Sequence, residues 1–183
     1  MVCCFKLADK FSVFWKHSKP PILIRYNSFY AFNSTSFFNL DQMIDTSIHK
    51  ELLESYESAN YHVDASPSFI LKIGQYSPEI HSMYEASHKK RAAFITAYNP
   101  ASVELSNEEN KERNQKLEEE IQGLHLEYIH GEAKCDENEW SGEESFLVLG
   151  IDQKEAIRLG KAFGQNAIVW IPENSIPELL LLK

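Results

Sequence analysis

The segment Phe94-Ile95-Thr96-Ala97-Tyr98-Asn99-Pro100 constrains the fold of this chain more than any other. It begins as an apolar strand and ends in polar residues at a turn, because the residue before a proline avoids the helical region. Two later stretches answer it, residues 143–151 and residues 164–170. Both are short and β-rich, with carboxylates or carboxamides at one end. A buried sheet that presents polar side chains along one edge has this appearance.

The segments between these strands complete the pattern. Ser106 with Glu109 three residues later forms a capping box, which opens a helix to about Gln122, with Gly123 as its stop. Leu124–His130 is a strand, Gly131–Gly142 an acidic loop and Glu144–Ile151 the next strand. Asp152 and Glu155 open a further helix that closes near Gly164, and Gln165–Ile171 is the last strand before Pro172. The order over 92–171 is therefore β-α-β-β-α-β, the pattern of a split βαβ, ferredoxin-like unit. Upstream, Ile48, Leu52 and Tyr56 mark a helix over 46–58. Tyr61–Asp64 and Ser68–Ile73 are extended. Ser77-Pro78-Glu79 starts a second helix that runs to about Lys89. Leu179–Leu182 reads as an apolar tail packed on the body. The class is α/β (α+β), a mixed sheet with helices, in which a helix and a β-α unit precede the split βαβ half.

Residues 1–42 are different. They are rich in Phe, Tyr, Ser and Asn, show no sustained period, and hold five basic residues against two acidic ones. They are expected to be a poorly ordered extension, leaving one globular domain over 43–183. Lys6, Asp9 and Lys10 interrupt any signal-peptide core. The whole chain carries −9, so residues 43–183 carry −12. Such a body repels phosphate backbones and anionic membrane surfaces, which argues against nucleic-acid and membrane partners. No apolar run approaches the roughly 18 residues of a spanning helix. Cys3, Cys4 and Cys135 have no zinc or disulfide spacing, and a reduced, cytoplasmic setting is expected.

Candidate chemistry gathers at the strand ends. Stepping back from Leu117 and Ile121 along the helix places Arg113 or Asn114, and then Asn110, on its buried side. Inward polar groups need partners, from the fold or from a ligand. The site expected on this basis comprises Thr96, Tyr98, Asn99, Asn110, Arg113, Trp140, Glu144, Gln165 and Asn166. Amides beside aromatics suit a base-, sugar- or amino-acid-like group, and Arg113 suits a carboxylate or phosphate. Of the neighbours Glu143 and Glu144, one faces inward. Glu144 is the candidate base and Tyr98 the candidate acid, although whether any reaction occurs stays open. No metal or cofactor is expected. His125 and His130 fall on opposite sides of a strand, and the acids around Cys135 disfavour a thiolate. No glycine-rich phosphate loop or nucleophile elbow is present. The alternative function is a protein-interaction module. The span 104–144 holds fourteen acidic residues against four basic ones, a surface suited to a basic partner. Nothing in the sequence fixes the oligomeric state.

Four blocks taken together resemble a family. These are residues 94–100; Glu109-Asn110 with Arg113; Trp140 with Glu144-Ser145-Phe146 and Leu149-Gly150; and Phe163-Gly164-Gln165-Asn166-Ala167. They are similar to the bacterial domain of unknown function number 3293, over roughly residues 43–170. The resemblance implies domain limits that leave out 1–42, and it implies no activity.

Overall fold

A computed structural model of the chain describes residues 50–135 and 142–182. The expected extension over 1–42 and Trp140 lie outside the described residues. Helix α1 (Lys50–Ser58) leads into strands β1 (Asn60–Val63) and β2 (Phe69–Leu71), then helix α2 (Pro78–Ser87). Strand β3 (Ala92–Ile95), a single 3-10 turn over Pro100–Ser102 and helix α3 (Asn107–Gly123) follow. The chain continues through β4 (Glu127–Lys134), β5 (Glu143–Leu149), α4 (Gln153–Ala162), β6 (Ala167–Ile171) and β7 (Glu178–Leu181).

Local chemistry starts the helices where the sequence places them. Ser77 caps α2 by accepting the Ile80 N–H, with Pro78 in the first turn. Ser106 and Glu109 close a reciprocal capping box on α3, and Asp152 caps α4 through the Glu155 N–H. The C-terminus of α3 departs in one detail. The helix includes Gly123, and the left-handed residue beyond it is His125, with φ 54°.

The seven strands form one sheet in the order β2-β1-β4-β5-β3-β6-β7. All of its ladders are antiparallel, where a mixed sheet was expected. The reason lies in the crossovers: β5 lies between β3 and β4, and β3 between β5 and β6, so each βαβ unit is split by an antiparallel neighbour. Two further corrections concern strand extent. Strand β4 runs on to Lys134, through residues expected to be loop, because its second half pairs with β1. The apolar tail is a true strand, with Leu179 opposite Val169 and Leu181 opposite Ala167.

Helices cover both faces of the sheet. On one face, Leu52 and Tyr56 of α1 and Ile80 and Tyr84 of α2 pack with Phe94, Leu147 and Val169. On the other, Leu117 and Ile121 of α3 and Ala156 and Leu159 of α4 pack with Ile95, Phe146 and Ile168. Alternate residues of β3 and β6 feed the two cores, so both strands are buried throughout and read as unbroken apolar runs. Among the described residues, no helix is long and apolar enough to cross a membrane.

Candidate functional site

Beyond Ile95 the chain leaves the sheet, and its backbone groups are taken up by side chains from α3, from Gln165 before β6 and from the loop itself. Asn114 Oδ1 accepts the Ala97 N–H at 3.1 Å, and Arg113 Nε donates to the Ala97 carbonyl at 3.0 Å. Gln165 Nε2 donates to the Tyr98 carbonyl at 2.8 Å. Asn110 Oδ1 accepts the Asn99 N–H at 2.8 Å, while its Nδ2 donates to Asn99 Oδ1 at 2.9 Å. Asn99 Oδ1 also accepts the Leu105 N–H at 3.0 Å. Thr96 Oγ1 donates to the Glu144 carbonyl at 2.7 Å and accepts the Tyr98 N–H at 3.1 Å. Of the polar residues singled out in the sequence, Thr96, Asn99, Asn110, Arg113 and Gln165 bind backbone groups of the 96–105 loop.

Arg113 therefore differs from the expected anion receptor. Its Nη2 donates to the Phe163 carbonyl at 2.6 Å, so the guanidinium spans two backbone carbonyls and joins the end of β3 to the end of α4. Gln165 and Asn166 are buried, the latter donating from Nδ2 to Ser102 Oγ at 2.8 Å.

The two carboxylates lie on opposite faces of β5, and the candidate base is the outer one. Glu143 is only 2% exposed and Glu144 is exposed. Strand parity requires the two to oppose each other, but it does not say which one turns inward. Glu143 Oε1 accepts from Asn99 Nδ2 at 2.8 Å, a buried acidic position outside the set of residues expected from the sequence. Glu144 carries a different contact, a hydrogen bond from the Tyr98 phenol. Burial first, and then the Glu144 carboxylate, push the Tyr98 hydroxyl up to about 12, so the phenol stays protonated and donates.

Tyr56, Tyr61 and Tyr84 are also raised, in each case chiefly by burial, and charge on Glu143 adds to the first two. An unfolded tyrosine ionises near 10, so these raised groups contribute stability that is complete below that pH and is lost as pH rises. For Tyr98 the window is about 10 to 12. Urea midpoints measured against pH are expected to be flat below 10 and to fall steeply above it. Tyr98→Phe is expected to make that fall shallower, and an unchanged slope in the variant would contradict the assignment.

An open cleft of about 330 Å³ adjoins the loop. Tyr98, Asn99 and Gly142 form part of its wall, and Leu105, Ser106, Asn107 and Asn110 form the rest, with Glu104 its only charged lining residue among those described. Of the expected site residues, Tyr98, Asn99 and Asn110 line this cleft. Thr96, Arg113, Glu144, Gln165 and Asn166 are not among its lining residues. The described residues contain no group of three metal-ligating side chains. His125 lies before β4 rather than within it, and His130 sits 3.5 Å from Glu118 Oε1.

The class defined by these features is an α+β fold with a seven-stranded antiparallel sheet and a loop braced by carboxamides beside an open cleft. Residues 95–168 match the family described as Protein of unknown function (DUF3293). The match is shorter than the 43–170 span expected, and it takes in the braced loop, α3, β4, β5, α4 and the start of β6. No curated protein and no solved structure matches the chain.

Proposed function

We propose that the cleft beside Tyr98, Asn99 and Asn107 binds a small polar ligand that is neutral or cationic. The supporting observation is the charge of its surroundings. Glu104 lines it, Glu143 lies behind Asn99, Glu144 holds the Tyr98 phenol, and the Arg113 guanidinium is committed to two carbonyls. An anion would meet carboxylates with no free cation among the lining residues, whereas hydroxyl or ammonium groups would meet acceptors. The capping box reinforces this bias. The Glu109 carboxylate already accepts from the Ser106 N–H, so the start of α3 is occupied by the protein's own anion.

The base-, sugar- and amino-acid-like groups suggested by the sequence narrow to those bearing amines or hydroxyls. A thermal-shift series should separate D-glucosamine and adenosine from phosphate and acetate. At ten times the dissociation constant, a cleft ligand stabilises by about 1.4 kcal/mol, which is roughly 3–6 °C here. Glu104→Gln, at an exposed position, is expected to weaken the glucosamine response and to leave the unliganded midpoint within about 1 °C. Stabilisation by phosphate instead, or by none of the four, would refute the reading.

The acidic surface over 104–144 is the second reading, and the protein's own donors already engage part of it. Glu118 accepts from the Tyr128 hydroxyl, and Glu120 pairs with Arg158. Salt-sensitive capture of a basic protein, without any ligand response, would favour that surface over the cleft.

A further inference from the structure

The loop beside the cleft is held in an unfavourable conformation over a cluster of buried polar side chains, called the chamber. Asn99, Ala101 and Ser102 have φ of 46°, 53° and 61°, so three residues with side chains occupy the left-handed region within four positions. What holds them is identifiable. The Ala101 N–H donates to the Gly164 carbonyl at 2.7 Å, Asn99 is latched to Asn110, and Ser102 Oγ receives Asn166 Nδ2.

Beneath this loop lie the Tyr56 hydroxyl, 3.1 Å from Ser102 Oγ, the Asn166 amide and the Glu143 carboxylate. Tyr56 is fully buried, and Asn166 is 5% exposed. Asn166 Oδ1 is itself buried and has no hydrogen-bond donor among the described residues. Buried polar atoms are seldom left in that state, and one beneath a strained loop beside a cleft points to a donor that arrives from outside.

We propose that residues 99–102 are a strap that lifts to admit a hydroxyl or ammonium group of the cleft ligand, which donates to Asn166 Oδ1 beside the Glu143 carboxylate. This deepens, and rests on, the reading of the neighbouring cleft as a ligand site. The chamber's acceptors select donors, and its buried carboxylate excludes anions. Lifting the strap releases the backbone strain and draws Ser102 Oγ away from Asn166 Nδ2, which keeps the Tyr56 hydroxyl as an acceptor at 3.5 Å, while the incoming group donates to Oδ1. Binding is reduced by the fraction of molecules in which the strap is closed.

The test is a D-glucosamine titration of the full chain followed by amide NMR, with Leu105 and Asn107 reporting the cleft and the Asn166 side-chain amide reporting the chamber. All three are expected to shift with one dissociation constant. Ala101→Pro cannot adopt the positive φ and lacks the N–H given to Gly164, so it props the strap open. It is expected to bind several-fold tighter, with faster hydrogen exchange at the Ser102 and Val103 amides. Ala101→Gly relieves strain in the closed strap and should bind several-fold more weakly, which keeps the test available if the proline variant misfolds. Shifts at Leu105 and Asn107 without Asn166, with both variants binding like the parent, would overturn the strap and leave the cleft. No shift at any of the three would overturn both.

Discussion

Gly131→Ala is expected to destabilise the fold by at least about 3 kcal/mol, a fall of roughly 10 °C in Tm. Gly131 sits in the middle of β4, opposite Val63 of β1 and Ser145 of β5. A Cβ there would collide with the His62 carbonyl oxygen and stand 2.8 Å from Phe94 Cε2. Neither obstacle can yield cheaply. The carbonyl is part of the neighbouring ladder, and the Phe94 ring is fully buried, edge-on to Tyr61 at a centroid distance of 5.5 Å. Gly123→Ala is the matched control. Nothing lies within 4 Å of its Cβ position, and it ends a helix, so alanine should be neutral or stabilise by up to about 1 kcal/mol. Urea unfolding of the two variants separates close approach from chain entropy. Equal effects would mean that strands β1 and β4 are not packed around Gly131 as described.

The same glycine marks where sequence reading stopped short. Gly131 reads as the end of a strand, and the residues after it, Glu132-Ala133-Lys134, have no apolar run to suggest continuation. Pairing with β1 on one side and β5 on the other makes them a strand, and local sequence does not contain those partners. Strand β7 was hidden differently, since four consecutive leucines carry no period of two. By contrast, the starts of α2, α3 and α4 were legible because a cap is a local event, a side chain meeting an N–H two or three residues on. The order of elements followed from those caps, and the split βαβ arrangement followed from the order. At the site, helical period alone turned Asn110 inward and left Arg113 or Asn114 beside it, of which Asn114 is the buried one. It could not say what they would meet. A backbone carbonyl and a ligand oxygen make the same demand on an arginine or an amide, and here the backbone claims Arg113, Asn114 and Gln165. Parity likewise set Glu143 against Glu144 without choosing the inner one, and only the position of Asn99 decides it.

Asn110→Ala is expected to cost about 3 kcal/mol and to free the loop as a unit. One side chain serves three groups. Its Oδ1 takes the Asn99 N–H, and its Nδ2 donates to Asn99 Oδ1 and, at 3.4 Å, to the Leu105 carbonyl. Truncation leaves the buried Asn99 N–H without a partner, and an unsatisfied interior donor costs more than the net worth of the bond it lost. The consequences extend past stability, because Asn99 also presents its own amide to Glu143. Hydrogen exchange at Asn99 and Leu105 should therefore rise well beyond the change in global stability, while the α4 amides follow the global value. Asn110→Asp separates hydrogen bonding from shape. It keeps the acceptor for the Asn99 N–H but sets a carboxylate oxygen against Asn99 Oδ1, two acceptors face to face. Burial and that contact favour the protonated form, so the variant's folded pKa lies above its unfolded value. Its stability should be fully present below the unfolded pKa of about 3.9 and be lost as pH rises through the folded one, relative to the parent at each pH. Measured urea midpoints that put Asn110→Ala within about 0.5 kcal/mol of the parent, or Asn110→Asp without that pH dependence, would mean that the loop is braced by something other than Asn110.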